Sequence, residues 1–260
     1  MTYSGFAIEA RQLSKEYKSK GVWIQALQNL NLQIKQGEIY GLLGENGAGK
    51  TTFVRAATTM IRPTAGSISI LGLDSLSNSE EIRRLVGVLP QDAGLYDEFT
   101  VRENLLYFTK LHSKIENPEK HVDELINIIE MKDRAHQRAD SLSGGLKRRV
   151  CLARTLIGNP KVIFLDEPTT GLDVLVSRKV RTLIQKLATA SKATVVLSTH
   201  NMFEAEKICT RVGILNKGQL IAEDTPAGIV ERYRTNPSDN LEDVVAHMIG
   251  YDEPNEPGDD

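Results

Sequence analysis

Hydrophobic positions change period along the chain, and each period predicts a different element. Phe6, Ile8 and Ala10, then Leu30, Leu32 and Ile34, recur at every second residue, the signature of half-exposed strands, and predict an N-terminal antiparallel sheet. Residues 38–43 and 161–165 are short, nearly continuous apolar runs that suit strands covered on both faces of a parallel sheet, as does the run 194–198. Between them the period lengthens. Residues 51–61 read as a helix ending before Pro63, and Val122, Leu125, Ile126 and Ile129 form an i, i+3, i+4, i+7 face. Val176, Val180, Leu183, Ile184 and Leu187 mark a longer helix, and a further helix runs from His200 through Ala205. A strand pair over 211–221 turns at Asn216-Lys217-Gly218, and Leu241, Val244, Val245 and Met248 form a small amphipathic helix.

Interleaved strands and helices of this kind predict an α/β fold with a parallel core sheet, an antiparallel β subdomain at the N-terminus and a helical subdomain inserted at about 92–149. The expected organisation is one domain over 6–235, a helical segment over 236–250 and an acidic tail over 251–260 that is expected to be disordered.

Two stretches carry chemistry. Gly44-Glu45-Asn46-Gly47-Ala48-Gly49-Lys50-Thr51, continued by Thr52, lies between a predicted strand and a predicted helix. Its glycines permit backbone angles at which successive N–H groups curl around an anion at the positive end of the helix dipole. Lys50 is then expected to reach β- and γ-phosphates, with the Thr51 hydroxyl ligating Mg²⁺ that bridges them. The second stretch, Asp166-Glu167-Pro168, falls at the C-terminal end of a buried strand, where α/β sheets place ligands. Asp166 is the candidate metal carboxylate and Glu167 the candidate general base that polarises the attacking water.

With Gln91 in Leu-Pro-Gln, Leu142-Ser143-Gly144-Gly145, Gly171-Leu172-Asp173 and His200 in Leu-Ser-Thr-His, the chain resembles ABC-type ATPase subunits over roughly residues 8–250. The resemblance implies the P-loop NTPase fold and ATP as substrate with Mg²⁺. It implies that Gln91 touches the metal, that His200 contacts the γ-phosphate beside Glu167, and that Asp173 sits at a dimer seam. Ser143, Gly144 and Gly145 would complete the site of a second ATPase subunit, identical or paralogous, packed head-to-tail. A Ser hydroxyl and unhindered N–H groups at a helix start suit that second anion site. Where relatives usually have Gln, this chain has Leu146, either a lost contact or a core position at helical spacing with Val150, Ala153 and Ile157.

The resemblance also places an aromatic ring on adenine. Tyr17 occupies the expected position, and Trp23 competes with it, because the segment 18–25 is longer than in typical relatives and an inserted turn there would present Trp23 instead. The closing segment 240–250 resembles ATPase subunits of drug- and ion-exporting systems, and the long extra domain of many sugar-importer ATPases is not found after the core. An integral membrane permease is therefore the implied partner, with the ATPase on the cytoplasmic face of the membrane. A soluble ABC ATPase without a permease is the alternative. Residues 92–101 contain Leu95, Tyr96 and Phe99, expected either to receive a permease helix or to fold back onto their own helices.

Composition narrows this further. The chain has 260 residues, 40% hydrophobic and 25% charged, and a net charge of −2, so no broad basic surface for nucleic acid is expected. The run Lys147-Arg148-Arg149 reads as a solvated helix face or a meeting point for a nucleotide or acidic partner. Two isolated cysteines, Cys151 and Cys209, point to a reducing compartment. Residues 1–11 include Glu9 and do not read as a signal peptide, and no apolar run approaches a membrane span.

Overall fold

The computed structural model describes residues 5–112 and 115–250; the expected acidic tail lies outside them. The first elements are β1 (Phe6–Ser19), β2 (Val22–Lys35), β3 (Ile39–Leu43), α1 (Lys50–Ala57), β4 (Ala65–Ile70), β5 (Leu73–Asp74), α2 (Ser79–Leu85) and β6 (Val86–Leu89). There follow α3 (Val101–Lys110), α4 (Pro118–Ile128), α5 (Gly144–Thr155), β7 (Val162–Asp166), α6 (Val174–Ser191) and β8 (Thr194–Thr199). The last are α7 (Met202–Ile208), β9 (Arg211–Asn216), β10 (Gln219–Asp224), α8 (Pro226–Tyr233) and α9 (Leu241–Ile249).

Two sheets result. The N-terminal one is antiparallel in the order β2-β1-β4-β5, and the central one has the order β10-β9-β3-β8-β7-β6, parallel except for β10. Both faces of the central sheet are covered, which explains the continuous apolar runs. On β7 the alternation divides the work: Val162 and Phe164 pack under the antiparallel sheet and α1, whereas Ile163 and Leu165 join the larger core formed with the later helices. All five β7 residues are buried.

Three expectations gain detail. The helix after the glycine loop stops at Ala57, because the Thr58 hydroxyl bonds back to Val54 O at 2.8 Å and Thr59 turns to φ +62°. The long segment 18–25 takes the form of a hairpin end: β1 and β2 pair through Lys18↔Trp23 and Ser19↔Val22, turning at Lys20 and Gly21 with φ +48° and +83°. The position 149 proposed as the end of the helical subdomain falls inside α5.

The C-terminal helix is held by its own sequence. Asn240 and Asp243 form a reciprocal capping box, and Leu241, Val244 and Val245 are buried, each contributing up to about 1.5–3 kcal/mol. Among the described residues no helix is long and apolar enough to cross a membrane.

Candidate active site

The glycine loop leaves β3 at Gly44 and enters α1 at Lys50. Gly44 and Gly49 have φ +152° and +112°, and a Cβ on either would lie 2.3 Å from Leu215 O or 2.5 Å from Ala26 O. Any other residue would push the loop off the β9 and β2 backbones. Gly49 caps α1 without a side-chain bond, so no side chain claims the first amides of the helix.

A cleft of about 130 Å³ opens above this loop, lined by Ala26, Glu45, Asn46, Gly47, Gly49, Lys50, Thr51, Thr52, Gln91, Asp166 and Glu167. Larger cavities lie elsewhere, one of about 380 Å³ among Arg149, Arg178, Lys179 and Lys186, but it has neither an amide cradle nor a carboxylate pair. The chemistry, not the volume, selects the smaller one. Gly44 and Ala48, also expected to belong to the loop site, do not line this cleft; Gly44 borders a neighbouring one beside His200 and α9, and Ala48 is buried beneath the loop.

Lys50 is buried, and its Nζ donates to Gly44 O at 2.6 Å and Glu45 O at 3.1 Å, 3.8 Å from Glu167 Oε1. Burial lowers the ammonium's pKa; the charges of Glu167, Asp166 and Glu45 oppose that. At the end of β7, Asp166 Oδ1 accepts from the Ser198 hydroxyl at 2.6 Å and Oδ2 from the Thr51 hydroxyl at 3.1 Å. Among the described residues no group of three His, Cys, Asp or Glu side chains could enclose a metal. One carboxylate with one hydroxyl, beside Gln91 in the same cleft, instead fits Mg²⁺, which takes few protein oxygens and completes its shell with water and substrate phosphates.

Glu167 adopts φ +47°, a left-handed backbone that costs a non-glycine residue roughly 1–2 kcal/mol. That turn aims its carboxylate into the cleft. Oε1 accepts from His200 N at 3.1 Å and approaches His200 Nδ1 at 2.8 Å, and Oε2 accepts from the Thr170 hydroxyl at 2.9 Å. With Nδ1 donating to Glu167, a neutral His200 presents Nε2 as an acceptor, and the ring is about half exposed.

Ser143, Gly144 and Gly145 do not line this cleft. Ser143 is the exposed N-cap of α5 and its hydroxyl makes no cap bond; Gly144 is open. Gly145 has a packing reason as well, since a Cβ there would come within 2.2 Å of Val176 Cγ1 on α6. Asp173 caps α6, accepting from Val176 N at 2.9 Å, and is followed by Val174 and Leu175, both more than 70% exposed. Leu146 is half-buried against the larger core, favouring the packing alternative.

Neither aromatic candidate lines the phosphate cleft. Tyr17 pairs with Ile24 across the hairpin and its ring lies 5.2 Å from Lys15 Nζ; Trp23 is 63% exposed with Lys18 Nζ 5.7 Å from its ring. Residues 92–101 fold back onto α3, as one of the two sequence readings expected, and leave part of their aromatic surface exposed. Tyr96 and Phe99 cluster with Tyr107 and Phe108 at 5.1–6.1 Å between ring centres. Buried Asn104 accepts from Tyr96 N and donates to the carbonyls of Tyr96, Phe99 and Thr100, fixing the loop, while Tyr96 and Tyr107 stay over 40% exposed.

Sequence reasoning missed Ser198 and Thr170, the hydroxyls that orient the carboxylates, and Asn104; Ser198 stands in the Leu-Ser-Thr-His stretch that drew attention only to His200, and no local motif marks the other two. It also missed Glu204, fully buried next to Thr169 and Thr199, whose carboxyl burial pushes above the usual range. Both threonine hydroxyls favour its charged form, yet neither lies in bonding geometry with its oxygens. Of the run 147–149, Lys147 pairs with Asp97, while Arg148 turns inward rather than into solvent.

Anion loop, carboxylate pair and strand-end histidine on a parallel sheet define a P-loop nucleotide hydrolase. The family model described as ABC transporter matches residues 27–170, and the chain belongs to that family. It is 40% identical over 225 residues to the Nod factor export ATP-binding protein I of Burkholderia thailandensis, covering 86% of this chain and 72% of that protein. The bacitracin transport ATP-binding protein BcrA of Bacillus licheniformis is 37% identical over 219 residues, 83% of this chain and 69% of that one. A dimeric ATP-binding cassette in a post-hydrolysis state, bound to ADP and Pi, superimposes with a TM-score of 0.76 at 29% identity, covering 84% of this chain and 98% of that one. The chain is thus an ATP-binding, ATP-hydrolysing subunit of an ABC transporter.

Proposed function

We propose that this chain energises an exporter, as a head-to-tail pair of ATPase subunits bound to a separate integral membrane permease on the cytoplasmic face. The names of the relatives, export and transport ATP-binding proteins, support a permease-coupled role over a soluble one. The observation that carries the site assignment is the convergence of Lys50, Thr51, Asp166 and Glu167 on one cleft, with His200 bordering the adjoining cavity and bonded to Glu167, while the exposed Ser143 hydroxyl makes no cap bond and does not line that cleft.

In this reading the amides of residues 44–52 and Lys50 bind the phosphates. Thr51, Asp166 and Gln91 would hold Mg²⁺, which when bound neutralises phosphate charge. Glu167 takes the proton of the attacking water, and His200, oriented through Nδ1, meets the γ-phosphate through Nε2. Asp173 and the exposed Val174 and Leu175 lie at the dimer seam, and Ser143 with the amides of Gly144 and Gly145 serves the facing nucleotide. Tyr17 stacks on adenine. Tyr96 and Tyr107, exposed on the aromatic cluster, receive the permease, so that movement of Gln91 is passed to it.

Both composite sites of a homodimer would be complete, so light scattering tests the arrangement. Glu167→Gln protein should dimerise on adding MgATP, and Ser143→Arg should block this by placing bulk and charge against the facing γ-phosphate. A nucleotide-independent monomer would count against a homodimer.

A further inference from the structure

Arg148 begins the second turn of α5, the helix whose start carries Ser143. Its guanidinium is turned away from solvent into the seam between α5 and the end of β7. Nε donates to Pro168 O at 2.8 Å, Nη2 to Glu167 O at 2.7 Å and Asp166 O at 3.1 Å, and Nη1 to Gln91 O at 3.3 Å and Pro90 O at 3.5 Å. One planar group therefore spans five carbonyls on two segments. These are the segments whose side chains, Gln91, Asp166 and Glu167, line the phosphate cleft in front. Arg148 holds from behind, by the backbone, what the nucleotide would meet from the front.

The chemistry of the pair is specific to arginine. A fork with five N–H donors in fixed geometry can bridge carbonyls on separate segments, whereas a lysine ammonium is a single point on a flexible stem. Among the described residues no carboxylate forms an ion pair with the guanidinium; it is placed among carbonyl dipoles, and burial opposes its charge while Asp166, Glu167 and Glu204 support it. A group that only filled unused acceptors at a loop end would not need to join two segments to a third element. Two more bonds continue the link along α5, Arg154 Nη1 to Gly94 O at 2.8 Å and Cys151 Sγ to Ala93 O at 3.5 Å, both in the segment that follows Gln91.

We propose that Arg148 is a positioning residue that couples the two nucleotide sites, tying the helix that presents Ser143 to the facing nucleotide to Gln91 and Glu167 of its own site. The inference rests on the head-to-tail arrangement proposed above. A shift of Glu167 or Gln91 on γ-phosphate cleavage pulls on Arg148, which moves the start of α5 and so loosens the contact with the other nucleotide. Hydrolysis at one site is then felt at the second without any contact between the two phosphates.

The test compares Arg148→Met, which keeps the apolar stem and loses every donor, with Arg148→Lys, which keeps the charge and one donor direction. Fluorescent-ATP binding to the monomer, steady-state ATPase against ATP concentration, and thermal melting are measured on the full chain. Binding should stay within about twofold, because no Arg148 atom lines the cleft, while kcat falls about 10- to 100-fold in Met, as small misplacements of catalytic groups do. The Hill coefficient for ATP should fall towards unity in both variants, Lys failing to restore it even where its melting temperature matches the wild type. A cooperative Met or Lys variant with wild-type kcat overturns the proposal, as does a loss of kcat and binding together in step with the folded fraction. If instead wild type is non-cooperative and Ser143→Arg hydrolyses ATP normally, the head-to-tail reading itself has failed, a result distinct from cooperativity that survives without Arg148.

Discussion

Glu167→Gln separates chemistry from architecture at this site. The substitution is nearly isosteric: the amide oxygen in the place of Oε1 keeps both bonds from His200, and the amide NH₂ in the place of Oε2 meets the Thr170 hydroxyl, which can rotate to accept. The structural cost is at most about one hydrogen bond, 0.5–1.5 kcal/mol. The chemical cost is larger, since an amide takes no proton from water. Loss of general-base catalysis lowers the rate about 10²–10⁴-fold, equivalent to about 2.7–5.4 kcal/mol of barrier. Binding should move the other way. The lost carboxylate stands 3.8 Å from Lys50, so its removal leaves that cation free for phosphate, and ATP affinity should hold or increase. Phosphate release at saturating MgATP and fluorescent-nucleotide titration measure the two effects separately. Turnover within about threefold of wild type with intact binding would show that Glu167 is not the base.

Other residues give sharper discrimination between readings. Glu204→Gln should raise the melting temperature at pH 8: the raised carboxyl pKa costs nothing below its unfolded value, and the penalty grows as pH climbs through the folded one. That gain should vanish near pH 4; an equal gain at both pH values would mean that charge is not the cause. Tyr17→Ala should raise the ATP requirement more than it lowers maximal rate, with Trp23→Ala neutral, and the reverse result in a titration would transfer adenine stacking to Trp23. Gly145→Ala should destabilise by about 1–3 kcal/mol through collision with Val176, and Val176→Ala added to it should restore part of the loss in thermal melts. No shift in the single variant would leave Gly145 with a purely nucleotide-facing role.

Sequence pattern reached the fold through the burial of alternate faces. On β7 every residue is covered, so Val162 to Leu165 could be read as a doubly buried strand without knowing what covers each side. The glycine loop was legible because Gly44 and Gly49 approach other backbones too closely for any side chain. What stayed hidden depends on partners far apart in sequence. Ser198 orients Asp166 across 32 residues, and Arg148 reaches Pro90 across 58. A basic run looks solvated from sequence, because hydropathy says nothing about acceptors that a fold gathers around one of its members. At 18–25 the residues Lys20 and Gly21 suit a turn, but the strand pairing of Lys18 with Trp23 on either side of it depends on the whole β1–β2 ladder.

The cleft concentrates charge that folding alone does not favour. Lys50 and Glu167 are each about 6% exposed in their side chains, and removing such ions from water costs several kcal/mol apiece. At 3.8 Å, with Lys50 donating to two carbonyls, the pair recovers part of that cost, but the ammonium makes no hydrogen bond to an anion. A phosphate seated on the loop would supply one. The arrangement thus stores instability that ligand binding releases, and Lys50→Ala should expose the trade. Removing the buried ammonium also leaves Glu167 without its cation, but His200 and Thr170 still satisfy both carboxylate oxygens. The ligand-free variant should therefore melt at or slightly above the wild-type temperature. In wild type, MgATP at 100 times its Kd adds about 2.7 kcal/mol of stability, and this increment should disappear in Lys50→Ala. A variant that melts well below wild type without nucleotide yet still responds to MgATP would show that Lys50 is retained for the fold rather than for phosphate.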